Sequence, residues 1–196
     1  MQKPQDFEQV QAYTGFTPLE AGGHICKVMN VEETKSQAGR DMIVIYLDTD
    51  KTDKQPNYFS EQYKNNQKPD KKWPNNAIVR QLVLDAEGNT NRGFKTFIEM
   101  VEQSNPGFKV QWGNNFATCF KGKLVGGVFG REEWLDNAGV SKFSVKHQHF
   151  TTVEDIKKGV DVPKDKLLNP SATSNSNGPD IYGDLQIDTS DSEMPF

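Results

Sequence analysis

Tyr58, Phe59, Tyr63 and Trp73 stand among Lys51, Lys54, Lys64, Lys68, Lys71 and Lys72 in a stretch, 49–76, otherwise made largely of Asn, Gln, Asp and Pro. An aromatic ring can stack on the flat face of an unpaired nucleobase, each stack contributing ~1–3 kcal/mol, while lysine and arginine track the phosphates. Structureless polar segments are ordinarily poor in aromatics, so a long segment that interleaves rings with lysines reads as functional. Across the chain the same chemistry gathers Tyr46, Tyr58, Phe59, Tyr63, Trp73 and Trp134 as stacking candidates, with Lys35, Arg40, Lys64, Arg80, Arg131 and Lys142 as phosphate partners. The competing reading is that several of these rings are core. Tyr58, Tyr63 and Trp73 escape it best because their sequence neighbours are polar, whereas Phe94, Phe97 and Phe129 read as packing residues.

A second chemistry sits at the end of the sequence, where Asp188, Asp191 and Glu193 precede Met194-Pro195-Phe196. Acids followed by an apolar group and a terminal carboxylate form a hook for a partner pocket with a greasy floor and basic walls. Pro195 restricts the backbone in advance and lowers the entropy lost on docking. The plainer alternative is a solubilising charged tail.

Other chemistries find little to work with. Neither a phosphate-cradling loop ending in Gly-Lys-Ser/Thr nor a Gly-x-Ser-x-Gly elbow occurs. His24-x-Cys26 and His147-x-His149 each place two metal-type ligands on one face of a strand, but structural zinc sites use tighter spacings over loops, and strand residues are the commoner explanation. Glu32-Glu33 and Glu132-Glu133 would each need a third acid to hold magnesium for a nuclease, and a solvated face is the commoner reading.

The chain has 196 residues, 34% of them apolar, and a mean hydropathy of -0.75, which fits one polar globular domain with extensions. No run approaches the roughly 18 apolar residues of a membrane span, and Met-Gln-Lys-Pro lacks the apolar core of a signal peptide, so the protein is expected to stay where it is made. Cys26 and Cys119 are expected to be reduced. The net charge of -4 divides unevenly: residues 1–166 carry +1 and residues 167–196 carry -5, with no base among the latter. Within the body, residues 51–147 hold 15 bases against 10 acids, a bias that suits an anionic ligand.

Elements that would position these residues follow from periodicity. Strands are predicted over His24–Glu33 and Asp41–Asp48, joined by a polar turn carrying Lys35 and Arg40 near its ends, and over Ala77–Leu84. Asn91 should cap a helix to about Ser104, because Phe94, Phe97, Ile98 and Val101 recur at helical spacing and Asn105-Pro106-Gly107 stops it. A glycine-punctuated segment Lys121–Arg131 and a strand Val140–Phe150 follow, then a short helix Val153–Lys158 between Thr152 and Gly159. Strand, strand, strand, helix, strand, strand is the order of the OB-fold, a mainly β five-stranded barrel with a helix between strands 3 and 4. Gly126, Gly127 and Gly130 would mark sharp bends or close backbone approaches. The expected organisation is an arm over 1–20, the OB-fold over 21–167, a Ser/Asn/Gly/Pro linker over 168–187 and the acidic tip over 188–196 as part of a disordered tail.

The ending Asp191-Ser192-Glu193-Met194-Pro195-Phe196 resembles the tail of bacterial single-stranded DNA-binding (SSB) proteins, in which a run of acids precedes an apolar residue and Pro-Phe. Here Thr189, Ser190 and Ser192 interrupt the acids. Phe94-Lys95-Thr96-Phe97-Ile98, Ser104-Asn105-Pro106-Gly107-Phe108 and Phe120-Lys121-Gly122-Lys123 resemble a phage-encoded SSB-like family over about residues 15–168. The chain departs from bacterial SSB at 49–76 and 105–123, so that family's tetramer is not carried over. The resemblance implies a non-enzymatic coat for single-stranded DNA, of low sequence specificity and without a cofactor, acting in the cytoplasm of a bacterial host. Its tip would recruit replication, recombination or repair proteins. The alternatives are a metal-dependent nuclease acting on single strands and an interaction module that touches no nucleic acid.

Overall fold

Alternating apolar side chains build the first hairpin, in which Ile43, Ile45 and Leu47 of one strand and Cys26, Val28 and Val31 of its neighbour all turn to the same buried face. In the computed structural model, which describes residues 2–5, 7–8 and 17–168, the two strands are β1 (Gly22–Lys35) and β2 (Asp41–Thr49). The linker from 169, the tip with Asp188, Asp191, Glu193, Met194, Pro195 and Phe196, and half of the expected arm (1, 6 and 9–16) lie outside the described residues. Gly39 takes φ 75° at the hairpin turn, a conformation that costs a side-chain-bearing residue. A bulge at Met29 shifts the register between Val28 and Asn30 and keeps the inner face apolar on both sides of it.

After β2 the chain forms α1 (Tyr58–Asn65) and a 3₁₀ turn (Asn75–Ala77) before β3 (Ile78–Leu82) pairs antiparallel with β2. α2 (Arg92–Ser104) begins where expected: the Asn91 side chain accepts from the Gly93 N–H at 2.9 Å. Its Phe94, Phe97, Ile98 and Val101 are all buried against the inner face of the sheet. Burial of such side chains contributes roughly 1.5–3 kcal/mol each, which is why this face fixes the helix on the sheet. Asn105 ends the helix by donating to the carbonyls of Val101 and Leu124, both at 2.7 Å. α3 (Phe116–Cys119), β4 (Leu124–Leu135), β5 (Ser141–Thr151) and α4 (Val153–Lys158) complete the order. The Thr152 hydroxyl caps α4 by accepting from the Asp155 N–H at 3.0 Å.

The result is a mainly β fold whose five-stranded antiparallel sheet runs β3-β2-β1-β4-β5. The expected closure into a barrel is not made: β3 and β5 are edges and do not pair. β3 is only five residues long and spends its ladder on β2, while the 3₁₀ turn that leads into it lies beside β5 without joining the ladder. β4 and β5 also outrun their neighbour. β1 starts at Gly22, opposite Phe129, so residues 130–135 of β4 and their partners on β5 project as a hairpin beyond it.

Glycine is required where α4 crosses the sheet. A Cβ on Gly126 would stand 2.6 Å from the Thr152 carbonyl oxygen and 2.7 Å from Ile156, and one on Gly23 would stand 2.5 Å from Val160. Close approach is therefore the role of Gly126, as the sequence led us to expect.

Candidate nucleic-acid interface

Side chains alternate across a pleated sheet, so the strand registers assign every residue to a face. Val44 stands between Glu32 and Arg80, and Tyr46 between Asn30 and Ile78. Trp134 stands opposite Lys142. Following the alternation through β1 and β4, where Cys26 and Val125 share the buried face, puts Tyr46 and Arg80 at one end, and Trp134 and Lys142 at the other, of the face of the sheet away from α2. α4 and residues 160–163 cover part of that face above Gly23, Gly126 and Gly130.

On this face Arg80 is exposed and Tyr46 is half-buried, its hydroxyl donating to Glu32 at 3.0 Å. Burial first, and then the hydrogen bond to the Glu32 carboxylate, hold the Tyr46 phenol above its ordinary range. Lys142 reaches toward the Trp134 ring at 5.8 Å and pairs with Asp136 at 2.9 Å. Arg131 projects on the opposite side of the same hairpin, its guanidinium 4.4 Å from the Phe143 ring centroid and 3.6 Å from Asp165. Phe143 is 41% exposed, a ring that sequence reading passed over although the alternation of β5 places it diagonal to Arg131.

Lys35 and Arg40 lie at the far end of the β1–β2 hairpin. Lys35 is exposed and paired with Asp41 at 2.7 Å, whereas Arg40 donates to the Leu84 carbonyl at 2.9 Å and ties the hairpin to the turn after β3.

The 49–76 segment departs most from expectation. Phe59 is fully buried, beside Phe129 at 6.2 Å, so it is a core residue and offers no ring for a base to stack on. Tyr58 packs against the core, and its hydroxyl accepts from the Leu19 N–H at 2.9 Å. Trp73 also packs against the core and donates its indole N–H to the Leu47 carbonyl at 3.0 Å. Tyr63 leans on Trp73 at 5.5 Å with Lys71 4.8 Å above its ring, and Lys64 is exposed nearby in sequence. The ring-and-lysine pattern thus survives at Tyr63, Lys64 and Lys71, while Phe59 belongs to the interior.

Three carboxylates pin this segment. Asp48 accepts from the backbone N–H groups of Phe59 and Ser60, Asp50 from Thr52, and Asp53 from Ile25 and Gln55. Asp53 also faces His24 Nδ1 at 2.8 Å, and the other His24 nitrogen lies 3.0 Å from the Glu20 carbonyl. Burial pushes the Asp53 carboxyl up, but the bonds from His24, Gln55 and Ile25 outweigh it and hold it below the usual range. Burial pushes the Cys26 thiol far above its ordinary range, which suits an inert core thiol. Among the described residues no three His, Cys, Asp or Glu side chains converge so as to hold a metal ion. Among them, too, no helix is long and apolar enough to cross a membrane. No known family model matches the chain, and no curated protein is similar to it.

Proposed function

We propose that the protein is a phage-type SSB, which coats single-stranded DNA with low sequence specificity through a partly open OB-type sheet. The observation that carries this reading is that the sheet face away from α2 presents a ring beside a cation at each of its two ends, Tyr46 with Arg80 at one and Trp134 with Lys142 at the other. An exposed sheet face flanked by hairpins is where OB-folds take oligonucleotides, and a helix between strands 3 and 4 belongs to that fold. Rings supply sequence-tolerant stacking and the cations supply phosphate contacts, so binding should weaken steeply with salt. The tip over 188–196 is proposed to recruit replication, recombination or repair proteins in the cytoplasm of a bacterial host.

Fluorescently labelled poly(dT) should bind far more tightly than a duplex of equal length, and W134A and R80Q should each weaken it. Equal affinity for both ligands, or none for either, would sink the reading. The same samples incubated with magnesium or manganese distinguish a nuclease, which would shorten the labelled strand.

A further inference from the structure

Residues 103–131 form a run of 29 positions without a single Asp or Glu, although the chain as a whole carries 27 acids against 23 bases. Within it lie Lys109, Lys121, Lys123 and Arg131, interleaved with Phe108, Trp112, Phe116 and Phe120. This is a cationic, ring-bearing stretch between α2 and the middle of β4, on the α2 side of the sheet, away from Tyr46 and Arg80.

Trp112 is its most exposed large ring, at 66%. One face of the indole is spoken for: it lies nearly parallel to Phe116, at 5.3 Å and 17°, with Phe94 6.4 Å away. Phe116 in turn meets Phe120 at 5.2 Å, and Phe120 meets Phe97 at 5.1 Å, so the exposed indole is backed by a column of buried rings. An open groove of about 870 Å³ begins at the preceding residue, Gln111, and is lined by Asn105, Lys109 and Lys123. Lys123 sits 4.7 Å over the Phe108 ring. Lys109 pairs with Glu102 at 2.7 Å, and the same carboxylate accepts from the Val110 N–H at 2.9 Å, which anchors the start of the segment.

We infer that Trp112 is a second base-stacking position, and that Lys109 and Lys123 in the adjoining groove hold phosphates of the same single strand. The inference rests on the nucleic-acid reading above. A ring held rigidly by a stack beneath it loses little freedom when a further flat group adds to its outer face, and every nucleobase offers such a face. The absence of acids over the run favours a polyanion as the occupant. A strand that reaches Trp112 as well as Tyr46 must pass from one side of the sheet to the other.

The test uses the full chain and oligo(dT) carrying 5-iododeoxyuridine, irradiated and mapped by mass spectrometry, beside titrations of W112A, W112F and K123Q. The adduct is expected on the tryptic peptide 110–121, which contains Trp112. W112A should lose roughly 5- to 150-fold in affinity for a long oligonucleotide, W112F should retain most of it, and K123Q should lower the salt slope by about 1. A wild-type chain that binds oligo(dT) while W112A binds equally well and peptide 110–121 stays unmodified overturns this inference alone. A wild-type chain that binds no oligo(dT) overturns the proposed function and this inference together.

Discussion

His147 faces Phe129 at 5.5 Å and Phe150 at 4.2 Å, and its Nε2 is shut off from solvent with no hydrogen-bond partner. Burial first, and then repulsion from His149, push its imidazole down from an ordinary 6.5 to about 3. The unfolded chain therefore takes up a proton below pH 6.5 that the folded chain refuses, and stability falls as pH drops from 6.5 toward 3. The slope approaches about 1.4 kcal/mol per pH unit for each such histidine. Asp50, Asp53 and Glu132, all held below their usual ranges, lose their contributions only below about pH 4. Urea denaturation at pH 7 and pH 5 should show a marked loss for the wild type and a smaller one for H147L; an equal loss in both would remove His147 as the cause. At this scale the sequence is an uneven guide. Tyr58 and Trp73 looked surface-bound because their neighbours are polar, yet the segment's polar residues include the Thr49 and Asp53 that fold it back onto the core. By the same criterion Trp112, between Gln111 and Gly113-Asn114-Asn115, deserved the notice that Trp73 received.

Elements backed by two local signals were legible almost to the residue. α2 had both a periodic apolar face and the Asn91 cap, and α4 had Thr152 and Gly159 at its ends. α1 had neither, because Asn57 precedes it at φ 52° without a side-chain cap and its first N–H groups are satisfied by Asp48 from β2. A helix started by a residue of another element leaves no local trace. The end of β4 was missed for a related reason: Glu132-Glu133-Trp134 shows no apolar alternation, because its pairing with β5 lies beyond the core. The α4 crossing offers a sharp check on the packing. In G126A the new methyl meets the Thr152 carbonyl, which is backbone and cannot rotate aside, so α4 must shift at a cost of about 1–3 kcal/mol. G39A adds a methyl that meets nothing within 4 Å and perturbs only the turn. The expected result is accelerated cleavage after Lys157 or Lys158 by trypsin in G126A but not in G39A; identical digestion patterns would contradict the crossing.

For the whole molecule, strand sequence and helix position were readable in advance, but closure was not, because it depends on whether two distant edges meet. The tip is likewise a matter for the whole protein in solution. Removing Met194-Pro195-Phe196 should leave poly(dT) affinity unchanged or slightly raised, since residues 167–196 carry -5 and repel DNA, while host replication proteins are no longer recovered in a pull-down. Undiminished recovery would end the recruitment proposal. The unpaired edges of β3 and β5 have a mechanical meaning. In a closed cylinder, swinging one hairpin outward tears hydrogen bonds along a whole seam, whereas here the 130–135 extension of β4 is held on the side away from β5 by a short clasp, Lys166 donating to the Arg131 carbonyl and accepting from the Glu133 N–H, both at 2.8 Å. Bending the β4–β5 arm therefore costs the two backbone hydrogen bonds at Lys166 rather than a full strand's ladder, which makes that clasp the latch of the arm.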